Sequence, residues 1–160
     1  MAMKRDVMDH SDGLPGSVPC FGSRVAGKKY RPRPGVYGVV CDDLGRVALI
    51  EVRGVFFLPG GGVDAGESPE QALVRECREE AGREARILGE VGRALQYTVS
   101  RNGEHFALQC AYYQARFAPG LECPPTEMDH ALHWLSAQDA LPRFHREADA
   151  WAVKKALNLA

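Results

Sequence analysis

The chain has 160 residues, which is enough for one compact domain with a hydrophobic core. Hydrophobic residues make up 45% and charged residues 26%, the balance of a soluble globular protein and not of a disordered or fibrous one. The formal net charge of -1 argues against a surface that binds a nucleic-acid polymer, but it allows a single nucleotide if a metal supplies positive charge.

Two features predict the cellular location. No apolar stretch reaches the length of a transmembrane helix, and residues 1–16 lack the apolar core of a signal peptide. We therefore expect a cytoplasmic protein with no membrane partner. The cysteines are scattered without a CxxC pair, which favours buried free thiols over a zinc site. They are Cys20, Cys41, Cys77, Cys110 and Cys123.

The start of the chain is polar and contains Gly13, Pro15 and Gly16. This composition predicts that residues 1–18 form a flexible N-terminal arm, which leaves residues 19–160 as a single domain. The basic, proline-rich run that follows, Tyr30 to Gly35, predicts a rigid connector.

The first strands follow this connector. Residues 36–41 and 47–52 are apolar and β-branched, and the turn residues 42–45 between them predict a hairpin. Residues 56–58 predict a short third strand, which ends at Pro59 and three glycines.

A helix with clear ends comes next. Ser68 is a favourable N-cap, Pro69 suits the first helical turn, and Gln71 completes a capping box three residues after the cap. The helix is predicted to run to about Ala81, with Gly82 as its stop.

The second half of the chain predicts more strands and a helical end. Residues 87–99 and 104–117 are predicted strands around the tight turn Asn102-Gly103, and a proline-rich loop from Pro119 to Pro125 follows. Residues 131–135 predict a short strand. Ser136 is a helix cap, and the remaining chain is predicted to be helical with a break at Pro142. This order of elements predicts an α/β sandwich with a mixed or antiparallel sheet.

The helix after Ser68 has an apolar arc and an acidic arc. The apolar arc, which can face a sheet, contains Leu73, Val74, Cys77 and Ala81. Glu76, Glu79 and Glu80 are spaced i, i+3, i+4, so their carboxylates converge on a neighbouring arc. Converging carboxylates beside an apolar arc need positive compensation, and oxygen ligands alone favour Mg²⁺ or Mn²⁺ over zinc. By itself this pattern also fits a solvated helix face, but the glycine-rich turn from Leu58 to Glu67 that leads into the helix favours a ligand site.

These residues resemble the motif of the Nudix hydrolase family, the Nudix box, in its MutT-like form. The family pattern is G, five residues, E, seven residues, R-E-U, one residue, E-E, one residue and G-U, where U is bulky and apolar. The matching residues are Gly61, Glu67, Arg75, Glu76, Cys77, Glu79, Glu80 and Gly82. Arg83 departs from the pattern because it stands at the last apolar position, which affects the packing of the helix end and not the metal site.

The resemblance implies a fold and a metal site. The expected fold class is α/β, the Nudix fold, an α/β/α sandwich around a mixed sheet. Glu76, Glu79 and Glu80 would bind Mg²⁺, or Mn²⁺ as a substitute, with help from the carbonyl of Gly60. Glu127, seven residues before Trp134, occupies the place where many family members add a further carboxylate, and it also fits a solvated loop glutamate.

The resemblance also implies structural and catalytic roles. Glu67 and Arg75 would join the loop to the helix through an ion pair, while Gly61 and Gly82 would allow the turns. The general base that removes a proton from the attacking water would be Glu76 or Glu79, with Glu127 as the third candidate.

Residues outside the motif are weaker candidates. Arg53, near the predicted mouth of the site, is a candidate for holding a terminal phosphate, although an ordinary surface arginine is the simpler interpretation. Tyr97, like Tyr37 and Phe57, is a candidate for stacking on a base, although each also fits a core position. Three histidines without a metal-like partner pattern are interpreted as structural: His105, His130 and His133.

The motif leaves the substrate open. Our first hypothesis is a small-molecule nucleotide, an oxidised or unmodified nucleoside triphosphate, cleaved at a nucleoside diphosphate linked to another group. Dinucleoside polyphosphates and nucleotide sugars are alternatives. The absence of a proline between Pro69 and Pro119 disfavours ADP-ribose, and no coenzyme A motif is visible. A non-catalytic nucleotide-binding module and a structural protein with a similar acidic helix are competing classes. Family members are often homodimers.

Overall fold

The computed structural model describes residues 18–160, apart from the side chain of Leu121. The flexible arm predicted for residues 1–18 therefore lies, except for its last residue, outside the described residues. Within the described part of the chain, no helix has both the length and the apolar character that crossing a membrane requires. The elements in chain order are β1 (Cys20–Phe21), β2 (Arg31–Val40), β3 (Val47–Val52), β4 (Val55–Phe57), β5 (Gly60–Gly62), α1 (Pro69–Ala81), β6 (Arg83–Val99), β7 (His105–Glu122), β8 (His130–Leu135), α2 (Ala137–Ala140), a 3₁₀ turn (Leu141–Arg143) and α3 (Glu147–Ala156).

The strands form two sheets. A five-stranded mixed sheet has the order β1-β6-β7-β2-β5, in which β6–β7 and β2–β5 are antiparallel and β1–β6 and β2–β7 are parallel. A three-stranded antiparallel sheet has the order β4-β3-β8. The mixed sheet and its helices confirm the predicted α/β class and the predicted sandwich.

Helices cover both faces of the large sheet. Leu73 and Cys77 of α1 pack with Val36 of β2 on one face. On the other face, Tyr37 belongs to a separate core cluster that contains Val153 of α3. Because side chains along a strand alternate between its two faces, neighbouring residues of β2 contribute to different core clusters.

The predicted connector at residues 30–35 is wrong in its extent, because Arg31 to Pro34 belong to β2 and pair with β7. Proline has no backbone N–H, and the prolines are tolerated here because the pairing with β7 requires no hydrogen bond from their nitrogens. The carbonyl of Pro34 accepts from Val63 N, at 3.3 Å, on the opposite side of the strand. The backbone nitrogen and carbonyl of one residue point to the same side of a strand. The nitrogen of Pro34 therefore also points away from β7, and the hydrogen bonds between β2 and β7 lose no donor.

The predicted hairpin of the first two strands is also wrong. β2 and β3 lie in different sheets and share only an isolated bridge between Cys41 and Val47. The turn itself forms, since Gly45 N donates to Asp42 O at 3.1 Å. β2 pairs instead with β7 and β3 with β8, so strands from distant parts of the chain decide the sheet to which each belongs.

Later elements differ from their predictions mainly in length. β7 continues through Pro119 and Gly120, which were predicted to lie in a loop. The break predicted at Pro142 is confirmed, because Pro142 lies in the 3₁₀ turn that separates α2 from α3. Ser136 caps α2 through a hydrogen bond from Asp139 N.

Candidate metal centre and cleft

Helix α1 begins and ends where its sequence predicts. Ser68 Oγ accepts a hydrogen bond from Gln71 N at 3.1 Å, and Gln71 Oε1 accepts one from Ser68 N at 2.9 Å, which completes the capping box. Gly82 closes the helix in the left-handed conformation with φ 64°, which glycine adopts without steric cost. The fixed ends set the direction in which each glutamate of the helix points.

The three glutamates of α1 differ in depth. The exposed fraction of the side chain is 8% for Glu80, 13% for Glu76 and 36% for Glu79. The buried side of α1 is rotated from the predicted arc, because Ala72 is fully buried while Val74 and Ala81 are partly exposed. This rotation carries Glu80 inward, toward the large sheet.

Glu127 joins these glutamates because its loop is attached to the C-terminal end of α1. The carbonyl of Glu79 accepts from the backbone N–H groups of Thr126, at 3.0 Å, and Glu127, at 3.2 Å. One carboxylate oxygen from each of Glu76, Glu79 and Glu127 lies within 4.8 Å of the others. These three carboxylates and the carboxylate of Glu80 are called the acidic cluster below.

Strand β5 meets the acidic cluster with glycines. The N–H of Gly60 donates to Glu80 Oε1 at 2.8 Å. A β-carbon placed on Gly61 would lie 2.5 Å from Glu76 Oε1, so only glycine allows that carboxylate its position. The metal-binding role of the Gly60 carbonyl stays a prediction.

Arg75 connects the loop before α1 to the acidic cluster. Its guanidinium forms a bidentate pair with Glu67, at 2.8 and 3.0 Å, and donates to the carbonyl of Gly62 at 2.9 Å. It also reaches Glu76 at 3.0 Å and Glu79 at 3.3 Å. The hydrogen bonds from Arg75 lower the pKa of Glu67 to about 2, so this pair is charged at neutral pH.

The electrostatics of the acidic cluster favour a bound cation. Burial raises the pKa of Glu80 to about 8, and burial also raises the pKa of Glu76. Arg75 alone does not offset the charge that these four carboxylates would carry if all of them were ionised. The carboxylate oxygens lie close enough together to bind one cation between them. Oxygen ligands of this kind fit a divalent cation such as Mg²⁺ or Mn²⁺.

A cleft of about 660 Å³ adjoins the acidic cluster. Gly61 lies between the cleft and the acidic cluster, because it lines the cleft and contacts Glu76. The charged residues that line the cleft are mostly arginines, and the aromatic ones are tyrosine and phenylalanine. They are Arg33, Arg53, Arg101, Asp129, His145, Arg146, Tyr37, Phe57 and Phe106.

Of the two predicted substrate-binding residues, Arg53 lines the cleft and Tyr97 does not. Arg53 follows β3 with φ 51°, and its Nε lies 3.7 Å from Asp129 Oδ2. Tyr97 is 5% exposed and packs edge-on against Tyr30, with ring centroids 5.0 Å apart. The interpretation of Tyr97 as a stacking surface is therefore wrong, because its ring lies in a small core cluster.

Arg146 forms part of the cleft wall, and no pattern in the sequence indicates this role. The guanidinium of Arg146 lies 4.0 Å from the ring centroid of Tyr37 and 4.9 Å from that of Phe57. Asp149, which is fully buried, holds this guanidinium at 3.0 and 3.2 Å and accepts a hydrogen bond from Tyr112 at 2.8 Å. Arg146 is the N-cap of α3 and Asp149 lies in its first turn, and because this charged pair belongs to no recognised motif, only the folded contacts identify it.

His130 is the second residue that the sequence interpretation missed. Its sequence context suggests a structural role, but its Nε2 lies 2.8 Å from Glu127 Oε2 and 3.5 Å from Glu80 Oε2. The available signal was its position three residues after Glu127. His133 and His105 lie elsewhere: His133 pairs with Glu51 at 2.7 Å, and His105 packs against Tyr30.

Comparison with known proteins gives a family match and several relatives. The family model of the NUDIX domain matches residues 31–156. An RNA pyrophosphohydrolase of Photobacterium profundum is 37% identical over 82 residues, which cover 48% of this chain and 46% of the relative. An RNA pyrophosphohydrolase of Helicobacter pylori (strain P12) is 36% identical over 85 residues, which cover 49% of this chain and 54% of the relative. The chain thus spans about half the length of the curated relatives it matches.

Solved structures extend the similarity to most of the chain. A MutT NUDIX hydrolase from Burkholderia pseudomallei is 30% identical, with a TM-score of 0.59, and covers 78% of this chain and 98% of its own. A NUDIX hydrolase from Nitrosomonas europaea has a TM-score of 0.66 at 18% identity and covers 80% of this chain and 90% of its own.

Proposed function

Because the chain belongs to the NUDIX family, whose model matches residues 31–156, we propose that it is a divalent-metal-dependent pyrophosphohydrolase that cleaves a nucleoside triphosphate. The observation that carries the proposal is the convergence of the acidic cluster beside an arginine-lined cleft. Carboxylates that hold a divalent cation next to cationic side chains form a site for a polyphosphate.

The acidic cluster supplies the metal ligands in this proposal. Glu76, Glu79 and Glu80 hold the cation, Mg²⁺ or Mn²⁺, with Glu127 as an additional ligand. When bound, the cation neutralises the diphosphate oxygens and orients them for in-line attack by water. One of these glutamates accepts the proton of that water through a carboxylate oxygen that does not hold the cation, and Glu76 and Glu79 are the first candidates, followed by Glu127.

The cleft orients the nucleotide. We assign Arg53 to a terminal phosphate, because it lines the cleft beside Asp129. The ring faces of Tyr37 and Phe57 that meet Arg146 are covered, so a base stacks against other surfaces of the cleft. Arg146 also lines the cleft, so its planar guanidinium is a further candidate for contact with the nucleoside.

The 5′-triphosphate end of an RNA is a second candidate substrate. The names of the two curated relatives favour it. The cleft also has more arginines than one triphosphate requires, since Arg33 and Arg101 line it besides Arg53 and Arg146. The sequence argued against a polymer from net charge alone, and a local concentration of arginines offsets that argument. Dinucleoside polyphosphates and nucleotide sugars share the same chemistry at the scissile bond.

A substrate panel tests the proposal. The panel contains nucleoside triphosphates, dinucleoside polyphosphates, nucleotide sugars, ADP-ribose and a short RNA with a 5′-triphosphate, each with Mg²⁺ and each with EDTA. We expect release of phosphate or pyrophosphate that EDTA abolishes, with the nucleoside triphosphates or the RNA giving the highest kcat/KM. Nucleotide binding without product release on any substrate would instead indicate a non-catalytic module.

The cytoplasmic location and the homodimer remain predictions. Cell fractionation tests the first, and sedimentation analysis of the full chain tests the second.

A further inference from the structure

His130 introduces a nitrogen ligand atom into a cluster of oxygen atoms. Its Nε2, with Glu80 and Glu127 carboxylate oxygens, forms a group whose ligand atoms lie within 4.8 Å of one another. The imidazole is held inside the protein, since only 17% of its side chain is exposed. Because Glu80 and Glu127 also belong to the acidic cluster, the imidazole lies directly beside the proposed metal centre.

The backbone fixes this position. His130 N donates to Glu127 O at 3.2 Å, a turn that brings the two side chains together. His130 then begins β8, where it pairs with Val52 of β3. The imidazole is therefore attached to a sheet and not to a free loop, which favours a defined ligand geometry.

Asp129 orients the ring from its other side. The Nδ1 of His130 lies 3.0 Å from Asp129 Oδ1, and Asp129 is in turn 3.7 Å from Arg53 Nε. A carboxylate that accepts the proton of Nδ1 leaves Nε2 with its lone pair, which is the form in which histidine binds metals. This carboxylate–imidazole arrangement is the usual support of a metal-bound histidine.

We propose that His130 is a nitrogen ligand of the metal centre, together with Glu80 and Glu127, and that it shifts the preference of the centre from Mg²⁺ toward Mn²⁺. The inference rests on the proposed function, because it assigns one more ligand to the same site. Mg²⁺ takes oxygen ligands in a strict octahedral geometry. Mn²⁺ shares the preference for oxygen, but as a first-row transition ion it binds an imidazole nitrogen more readily than Mg²⁺ does, so a histidine raises the affinity for Mn²⁺ relative to that for Mg²⁺.

A different role for His130 gives different expectations. As an imidazolium between Glu127 and Asp129 it would only offset their negative charge, and a cation would have to compete with it. Removing it would then strengthen the binding of Mn²⁺ and Mg²⁺ alike, since both respond to the same charge. The ligand role weakens mainly Mn²⁺.

The experiment compares metal binding by the full chain and two variants. Mn²⁺ binding is followed by the EPR signal of the free ion, and Mg²⁺ binding by competition against Mn²⁺. His130→Gln should raise the Kd for Mn²⁺ about tenfold or more. It should change the Kd for Mg²⁺ by less than about threefold. His133→Gln is the matched control, because it removes a carboxylate-paired histidine of the same strand outside the acidic cluster.

Pulsed EPR of bound Mn²⁺ gives a readout that is independent of activity and does not need a variant. A coordinated imidazole produces nitrogen hyperfine modulation, so we expect it in the unmodified protein and in His133→Gln, and its loss in His130→Gln. Bound Mn²⁺ without this modulation, or equal effects of His130→Gln on both metals, would overturn the inference while leaving the proposed function in place. Failure of the unmodified protein to bind Mn²⁺ or Mg²⁺ would instead contradict the proposed function itself.

Discussion

At the scale of single residues, Glu80 shows how burial and charge are balanced in the acidic cluster. Its side chain is 8% exposed, and one of its oxygens accepts from Gly60 N at 2.8 Å. Burial nevertheless raises its pKa to about 8, from an ordinary value of 4.5. The protonated form is therefore favoured in the folded protein without a cation, while a bound cation favours the charged form.

Glu80→Gln tests this balance through the pH dependence of stability. Since the folded pKa is raised, protonation of Glu80 contributes stability that is complete below about pH 4.5 and is lost as the pH rises through about 8. In EDTA, we expect the Tm of the unmodified protein to fall relative to that of Glu80→Gln as the pH rises. The difference should exceed about 1 kcal/mol, or roughly 2–4 °C.

Mg²⁺ provides the contrast for this experiment. It should raise the Tm of the unmodified protein at about pH 8 more than that of Glu80→Gln, because the variant has lost one of the charged ligands. A constant difference in Tm between the two proteins in EDTA at every pH would show that the buried charge of Glu80 does not destabilise the fold.

The assignment of the general base also belongs to single residues. Glu76→Gln and Glu79→Gln each keep the size of the side chain and remove its ability to accept a proton. We expect kcat to fall by about 10²-fold or more in at least one variant, while both stay folded by circular dichroism. Near-normal turnover in both would reject them as the base and leave Glu127 as the remaining candidate.

At the scale of elements, strand β5 and helix α1 are matched to each other. Gly61 lies against the carboxylate of Glu76, whereas a β-carbon at Gly62 would meet only Arg33 Nη2, at 3.9 Å. Both glycines belong to the same short strand, and neither has a positive φ. They therefore differ in what surrounds them and not in backbone strain.

Gly61→Ala and Gly62→Ala form a matched pair of variants. The methyl group at position 61 has to displace the Glu76 carboxylate, and a shift of about 1 Å in a catalytic group costs on the order of 10²-fold in rate. We expect Gly61→Ala to lose activity to that extent and Gly62→Ala to retain it within a few-fold. Equal activity of the two variants would show that the close contact with Glu76 has no catalytic importance.

At the scale of the whole molecule, Asp149 connects three parts of the fold. It accepts hydrogen bonds from Leu58 N at 3.1 Å and Tyr112 OH at 2.8 Å, and it pairs with Arg146 of the same helical segment. The glycine-rich turn, β7 and α3 are thereby held in one arrangement. This arrangement defines the wall of the cleft.

Replacement of Asp149 should therefore be costly for the entire fold. Asp149→Leu leaves the charge of Arg146 buried without a partner, so we expect a loss of about 3–5 kcal/mol in the free energy of unfolding. Urea denaturation measures the loss. The double variant Arg146→Met, Asp149→Leu should recover much of it, because no unpaired charge remains. A double variant less stable than the single one would contradict this account.

The sequence by itself determined the local part of this protein. The limits of α1 and its capping box were predicted from Ser68, Gln71 and Gly82, and the structure confirms them. The spacing of Glu76, Glu79 and Glu80 also follows from the sequence, because helical geometry fixes the directions of residues three and four apart. These features depend only on interactions within a few turns of chain.

Only the tertiary structure decided the contacts between distant segments. It separated β2 and β3 into two sheets, moved Tyr97 into a small core cluster, and brought His130 and Arg146 to the acidic cluster and the cleft. Strand pairing and the packing of α3 set these positions. They depend on competition among all possible pairings of the chain, which the pattern of any one segment does not specify.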